Sequence, residues 1–89
     1  MKKTKPEDLL DFPCRFQFKA IGVADDSFKA EIVAVVESFV VVSEDCITCR
    51  PSENGGYQAV SVSVRLENYQ QLTGIYAAMR KVSGLKLLL

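Results

Sequence analysis

Nothing in this 89-residue chain constrains its fold more than the stretch Gln58-Ala59-Val60-Ser61-Val62-Ser63-Val64-Arg65-Leu66. Successive side chains of a strand point to opposite faces, so Val60, Val62, Val64 and Leu66 share one side and Ala59, Ser61, Ser63 and Arg65 the other. Such a segment is a strand with one face in a core and one in water. A second half-buried strand is read from Cys14 to Val23, where Phe16, Phe18 and Ala20 alternate with Arg15, Gln17 and Lys19.

Helical spacing appears between and after these strands. Asp25-Asp26-Ser27 offers oxygens that cap free amides, and Phe28, Ile32, Val35, Val36 and Phe39 then recur on one stripe, which predicts a helix from about Asp26 to Phe39. The run Phe39-Val40-Val41-Val42 also suits extended chain, so the helix end stays open by several residues. A short strand is expected at Ile47-Thr48-Cys49-Arg50-Pro51, and Ser52-Glu53-Asn54-Gly55-Gly56 supplies residues that tolerate positive φ, making the flanking strands antiparallel neighbours. Asn68 caps a second helix with Leu72, Ile75, Tyr76, Met79 and Val82 on one stripe, Arg80 and Lys81 in its last turn, and Gly84 as its stop. Gly74 inside that helix costs about 1 kcal/mol relative to alanine, which close packing against the sheet would explain. Leu85-Lys86-Leu87-Leu88-Leu89 closes the chain as a strand with Leu85, Leu87 and Leu89 on one side.

Strand, helix, strand, strand, helix, strand is the split βαβ order. It predicts an α+β, ferredoxin-like βαββαβ sandwich: a four-stranded antiparallel sheet with both helices on one face. The other face is left bare and carries Arg15, Gln17, Lys19, Thr48, Arg50, Ala59, Ser61, Ser63 and Arg65. Residues 1–12 read as a partly ordered, mixed-charge arm and 13–89 as a single domain. A homodimer that covers part of the open face is compatible with so thin a core.

Composition narrows the chemistry. Eleven basic residues balance 11 acidic ones, so no long-range field favours nucleic acid or an anionic surface. No apolar run approaches the roughly 18 residues of a membrane helix. Three cysteines and a start, Met1-Lys2-Lys3-Thr4-Lys5-Pro6, without the apolar stretch of a secretory signal point to reduced thiols in a cytoplasm. The complete absence of histidine removes the Ser-His and Cys-His nucleophile arrangements and the commonest general base.

Cys46-Ile47-Thr48-Cys49 has redox or half-zinc spacing, yet only Cys14 remains as a further thiol, and strand positions three apart point to opposite faces. Ordinary packing is the expectation, with no metal, cofactor or catalytic residue. Arg50-Pro51-Ser52-Glu53-Asn54-Gly55-Gly56-Tyr57 can form an anion-binding turn in which glycine amides converge beside Arg50, although turn chemistry alone explains every glycine. The basic open face raises single-stranded RNA as an alternative. RNA platforms stack bases on two or three central aromatics, where Ser61, Ser63, Gln17 and Lys19 stand here.

Three blocks carry a family resemblance: Asp11-Phe12-Pro13-Cys14-Arg15-Phe16-Gln17-Phe18-Lys19 through Gly22, then Arg50 to Tyr57, then Val60-Ser61-Val62-Ser63-Val64. The chain resembles the YbeD family of small bacterial proteins over nearly its whole length. That resemblance implies a fold similar to the ACT regulatory domains that bind small effectors beside metabolic enzymes, in a family whose biochemical role is unassigned. Family-typical positions are Phe12, Pro13, Gly22, Pro51, Ser52, Gly55, Tyr57, Ser61 and Ser63; the cysteine pair is not among them. The expectation is a non-catalytic regulatory or protein-interaction module. Its contact residues are sought among Arg50, Pro51, Ser52, Gly55, Tyr57, Ser61 and Ser63, and its partner is a protein or a small effector.

Overall fold

The structure is a computed structural model that describes residues 12–52 and 55–89. The arm expected over 1–12 therefore lies outside the described residues apart from Phe12. Strand β1 (Cys14–Val23) pairs antiparallel with β3 (Tyr57–Leu66) along its whole length, from Cys14 opposite Leu66 to Val23 opposite Tyr57. Strand β2 (Ile47–Pro51) adds to the outer side of β3 and β4 (Leu85–Leu88) to the outer side of β1, giving the order β2-β3-β1-β4. Helices α1 (Asp26–Glu37) and α2 (Tyr69–Met79) both lie on the face that holds Phe18, Ala20, Val60, Val62, Val64 and Leu66. The sandwich is the ferredoxin-like one read from the sequence.

Each strand segregates its faces because its apolar residues fall on alternate positions. Phe18 and Ala20 of β1, and Val60, Val62 and Leu66 of β3, are wholly buried, together with Phe28, Ile32 and Val36 of α1 and Ile75 and Met79 of α2. Burying a side chain such as Phe18 contributes roughly 2 to 3 kcal/mol. The rings of Phe16, Phe18 and Tyr76 meet edge to face, with centroids 4.9 Å apart for Phe16–Phe18 and 5.0 Å for Phe18–Tyr76. Burial pushes the Tyr76 hydroxyl above its usual range against the opposing pull of Arg80, and that hydroxyl donates to the Leu89 carbonyl at 3.3 Å.

The caps hold as expected. Asp25 accepts from the Ser27 amide at 3.1 Å at the start of α1. At α2, Asn68 accepts from the Gln71 amide at 2.9 Å while Gln71 Oε1 accepts at 2.7 Å from the amide of Glu67, the residue before the cap, so both bonds tie down the first turn. Helix α1 stops two residues short of Phe39, because Ser38 Oγ donates back to the Val35 carbonyl at 2.6 Å and the Phe39 ring leaves the helix to lie on α2. That ring covers Gly74, where a Cβ would come within 2.6 Å of it, so the close packing inferred at Gly74 is with Phe39 and not with the sheet. The valines that follow pair with no strand. Helix α2 ends at Met79, which puts Arg80 at its C-cap and Lys81 and Val82 beyond it, outside the last turn, so Gly84 is not the residue that stops the helix.

The terminal strand departs most from its sequence pattern. The register shifts between Ile21 and Gly22, so Gly22 opposes Leu85 while Ile21 opposes Leu87 and Ala20 opposes Leu88. Leu85 and Leu88 consequently face the core, whereas Leu87 and Leu89 are half exposed; a bulge has broken the expected alternation of Leu85, Leu87 and Leu89.

Gly22 sits where β1, α1 and the α2–β4 turn converge. A Cβ there would run into the Phe28 ring and come within 2.7 Å of the Gly84 backbone oxygen, whereas at Gly56 it would meet nothing within 4 Å. Because the backbone oxygen cannot swing aside, Gly22→Ala is expected to destabilise the fold by about 1 to 3 kcal/mol and Gly56→Ala by no more than about 0.5 kcal/mol. Urea denaturation of both variants checks this; equal midpoints would refute the close approach.

Candidate functional site

The open face of the sheet follows from the register. Across β1, β3 and β2 run the rows Lys19–Ser61–Thr48 and Ile21–Ala59–Arg50, with Gln17 opposite Ser63 and Arg15 opposite Arg65 beyond them. The middle strand contributes only small side chains at Ala59, Ser61 and Ser63, while its neighbours contribute long ones. A trough of about 340 Å³ results, lined by Gln17, Lys19, Thr48, Arg50, Ala59 and Ser61.

Its electrostatics are one-sided. Among the described residues no carboxylate lines the trough, and the ion pair of the face, Arg65 Nε to Glu67 Oε1 at 3.3 Å, lies at its far end with both side chains more than half exposed. Such an exposed pair contributes little, about 0 to 1 kcal/mol. Asp25, Asp26, Glu31 and Glu37 stand on α1 and its cap, on the other layer of the sandwich. A larger hollow of about 690 Å³ lies there, along the outer flank of α1, but it sets Asp26, Glu37 and Glu44 against the single cation Lys29 and converges on no one chemistry.

The sequence-derived contact residues divide between this face and the hairpin. Arg50, Ser61 and Ser63 lie on the open face, and Tyr57, two positions before Ala59, begins the same side of β3 with Lys86 Nζ 6.0 Å from its ring centroid. Pro51 opposes Gln58 at the edge, so it does not share that face. In the hairpin, Ser52 and Tyr57 close the turn through the Ser52 amide and the Tyr57 carbonyl at 2.8 Å. Gly55 has the positive φ that the turn requires, 73°, and its amide donates to the Ser52 carbonyl at 3.1 Å. The turn itself thus takes up an amide that anion binding would need; Glu53 and Asn54 lie outside the described residues.

Two features of this region went unread. Gln58 heads the core-facing series 58, 60, 62, 64, 66 and is buried: its Nε2 donates to the carbonyls of Val23 and Asp25 at 2.9 and 2.8 Å, and its Oε1 accepts from Cys49 Sγ. A polar residue at a core-facing position of the clearest strand was the available signal. The bulge brings Leu87 beside Ile21, and reciprocal backbone bonds at 2.8 and 3.3 Å bring Leu89 beside Lys19, giving the face an apolar corner. For RNA, the face offers one exposed aromatic among the described residues, Tyr57 at the end of β3, since Phe16 and Phe18 turn into the core.

Relatives agree with the architecture. The family described as "Protein of unknown function (DUF493)" matches residues 7–89. The chain belongs to that family. UPF0250 proteins of Idiomarina loihiensis and Shewanella loihica are similar at 34% identity over 89 residues (all of both chains) and 35% over 86 residues (97% of both chains). The YbeD kinship read from the sequence therefore holds across the chain. Among solved structures, the ACT domain from a GTP pyrophosphokinase of Chlorobium tepidum superposes with a TM-score of 0.68 at 17% identity, covering 84% of this chain and 94% of its own. Protein HP0495 of H. pylori superposes at 0.65 and 16% identity, covering 99% of this chain and 98% of its own. Both show the ACT-like fold.

The two cysteines of the Cys-x-x-Cys pair have different partners. Cys46 Sγ accepts from Arg15 Nη2 at 3.2 Å on the open-face side, while Cys49, opposite Val60, donates to Gln58 Oε1 at 2.7 Å from the core side of β2. No group of three or more metal-ligating side chains occurs among the described residues. Cys46 closes a 3-10 turn, Glu44–Cys46, and so is not on the strand with Cys49 as their spacing suggested. Mild oxidation of the folded protein is expected to leave the two without a mutual disulfide, since Cys46 is turned toward Arg15 and Cys49 toward Gln58. Peptide mass mapping after diamide treatment checks this, and recovery of the linked peptide from monomer would refute it.

Proposed function

We propose that the chain is a non-catalytic regulatory module of the cytoplasm that works by binding through the open face of its sheet. The observation that carries this reading is the trough over β3 beside an apolar corner, on a layer that the described residues leave uncovered. Polar groups that converge beside apolar surface are what a ligand or a partner protein needs for orientation and for contact. The ACT-like fold supports the same reading, because one of the structures it resembles is an ACT domain of a GTP pyrophosphokinase. Nor do the described residues place a nucleophile beside a base or bring two carboxylates together over this face. No described helix is long and apolar enough to cross a membrane.

Ser61→Trp fills the trough without reaching the core, and Glu31→Lys changes charge on the outer side of α1. Affinity capture from the native cell extract, with both variants beside the parent chain, tests the assignment. Retention of the same bound species by the parent and by Glu31→Lys, with loss in Ser61→Trp, is expected. Equal capture by all three would place the contact elsewhere and overturn the proposal.

A further inference from the structure

We propose that the trough over β3 is a binding site for a small oxyanion, the carboxylate or phosphate group of a low-molecular-weight ligand, held between Lys19 and Arg50. This deepens the open-face reading and rests on it. Lys19, Ser61 and Thr48 stand in one row across three strands, and Arg50 follows Thr48 by two residues on β2, so all four side chains reach the same hollow from different sides. The volume of about 340 Å³ lies at the lower end of the roughly 300 to 1,000 Å³ typical of small-molecule sites.

The donor set selects the charge of the ligand. Lys19 supplies a point charge, Arg50 a planar fork suited to two oxygens at once, Thr48 and Ser61 hydroxyls, and Gln17 an amide. Among the described residues none of these five side chains takes part in a hydrogen bond or an ion pair within the chain. Two cations facing one concavity without a lining carboxylate disfavour a cationic ligand and favour an anion through charge-assisted hydrogen bonds. A long nucleic acid fits less well, since Ala59, Ser61 and Ser63 occupy the places where bases would stack.

The test uses the full chain labelled with 15N, titrated separately with inorganic phosphate and with succinate at an ionic strength held constant by sodium chloride. With at least one of the two anions, saturable shifts are expected at the amides of Lys19, Thr48, Arg50 and Ser61, and the anion that saturates identifies which oxyanion the site takes. Arg50→Ala and Lys19→Ala are each expected to weaken that binding about tenfold or more, while Arg80→Ala, on the helical layer, leaves it unchanged. The spectra themselves report whether each variant is folded. Shifts that stay linear with both anions, that spread equally to Arg80 and Lys81, or that survive Arg50→Ala would overturn the site. So would saturation by a single-stranded oligonucleotide alone, with shifts extending to Arg15 and Arg65. If the titration fails while Ser61→Trp still abolishes capture, the oxyanion site falls and the open-face reading stands; if both fail, both fall.

Discussion

The pairing of β1 with β3 is the constraint on which the rest of the molecule depends. Every cross-strand pair along it is sorted by face: Phe18 opposite Val62 and Ala20 opposite Val60 point into the core, while Gln17 opposite Ser63 and Lys19 opposite Ser61 point out. A slip of one residue would exchange the two sets, burying Lys19 and exposing Phe18, so hydrophobic burial locks the register. The helices then have one face on which to lie, and β2 and β4 have one free edge each to join. The trough is a by-product of the same register, because between Tyr57 and Arg65 the strand β3 carries valines inward and only the small Ala59, Ser61 and Ser63 outward.

Charge in this sandwich, like burial, acts face by face. The chain is neutral as a whole, yet Arg15, Lys19, Arg50 and Arg65 share the sheet face while Asp25, Asp26, Glu31 and Glu37 stand on α1 and its cap. Salt screens charges over about 8 Å at physiological ionic strength. A ligand resting on Ser61 therefore meets the nearby cations at closer to full strength than the carboxylates across the hydrophobic layer. Net charge excludes a long-range field and says little about a face.

What the sequence made legible was everything that depends on neighbours a few residues away. Alternation located β1 and β3 within a residue, the turn residues after Pro51 delimited β2, and Asp25 and Asn68 were identifiable as caps; Gly84, expected to stop α2, instead has its positive φ of 89° in the turn that enters β4, five residues past the helix end. The contents of the open face could also be enumerated, save for its apolar corner. What stayed illegible depends on contacts between distant segments. The end of α1 is decided by Phe39 settling on Gly74, the facing of β4 by a register shift against Ile21 and Gly22, and the role of Gln58 by two carbonyls more than 30 residues away in sequence. The hairpin looked like the better anion site because glycines in a turn suggest free amides; only the folded loop shows that the Gly55 amide already has a partner.

The trough and the hairpin differ in what anion binding would require of each. In the hairpin, Gly55 would have to release the Ser52 carbonyl before its amide could serve a ligand, so binding there would compete with the turn that joins β2 to β3. On the sheet no such exchange arises. The backbone groups of Ser61 and Thr48 are engaged in the β2–β3 ladder, which fixes where their side chains project and leaves the hydroxyls available. Lys19 and Arg50, on longer stems at either side, supply charge with enough reach to close on ligands of different width. A rigid floor with adjustable walls favours recognition of a common charged group over recognition of one molecular outline, which is why the donor set specifies the chemical class of the ligand more tightly than its size.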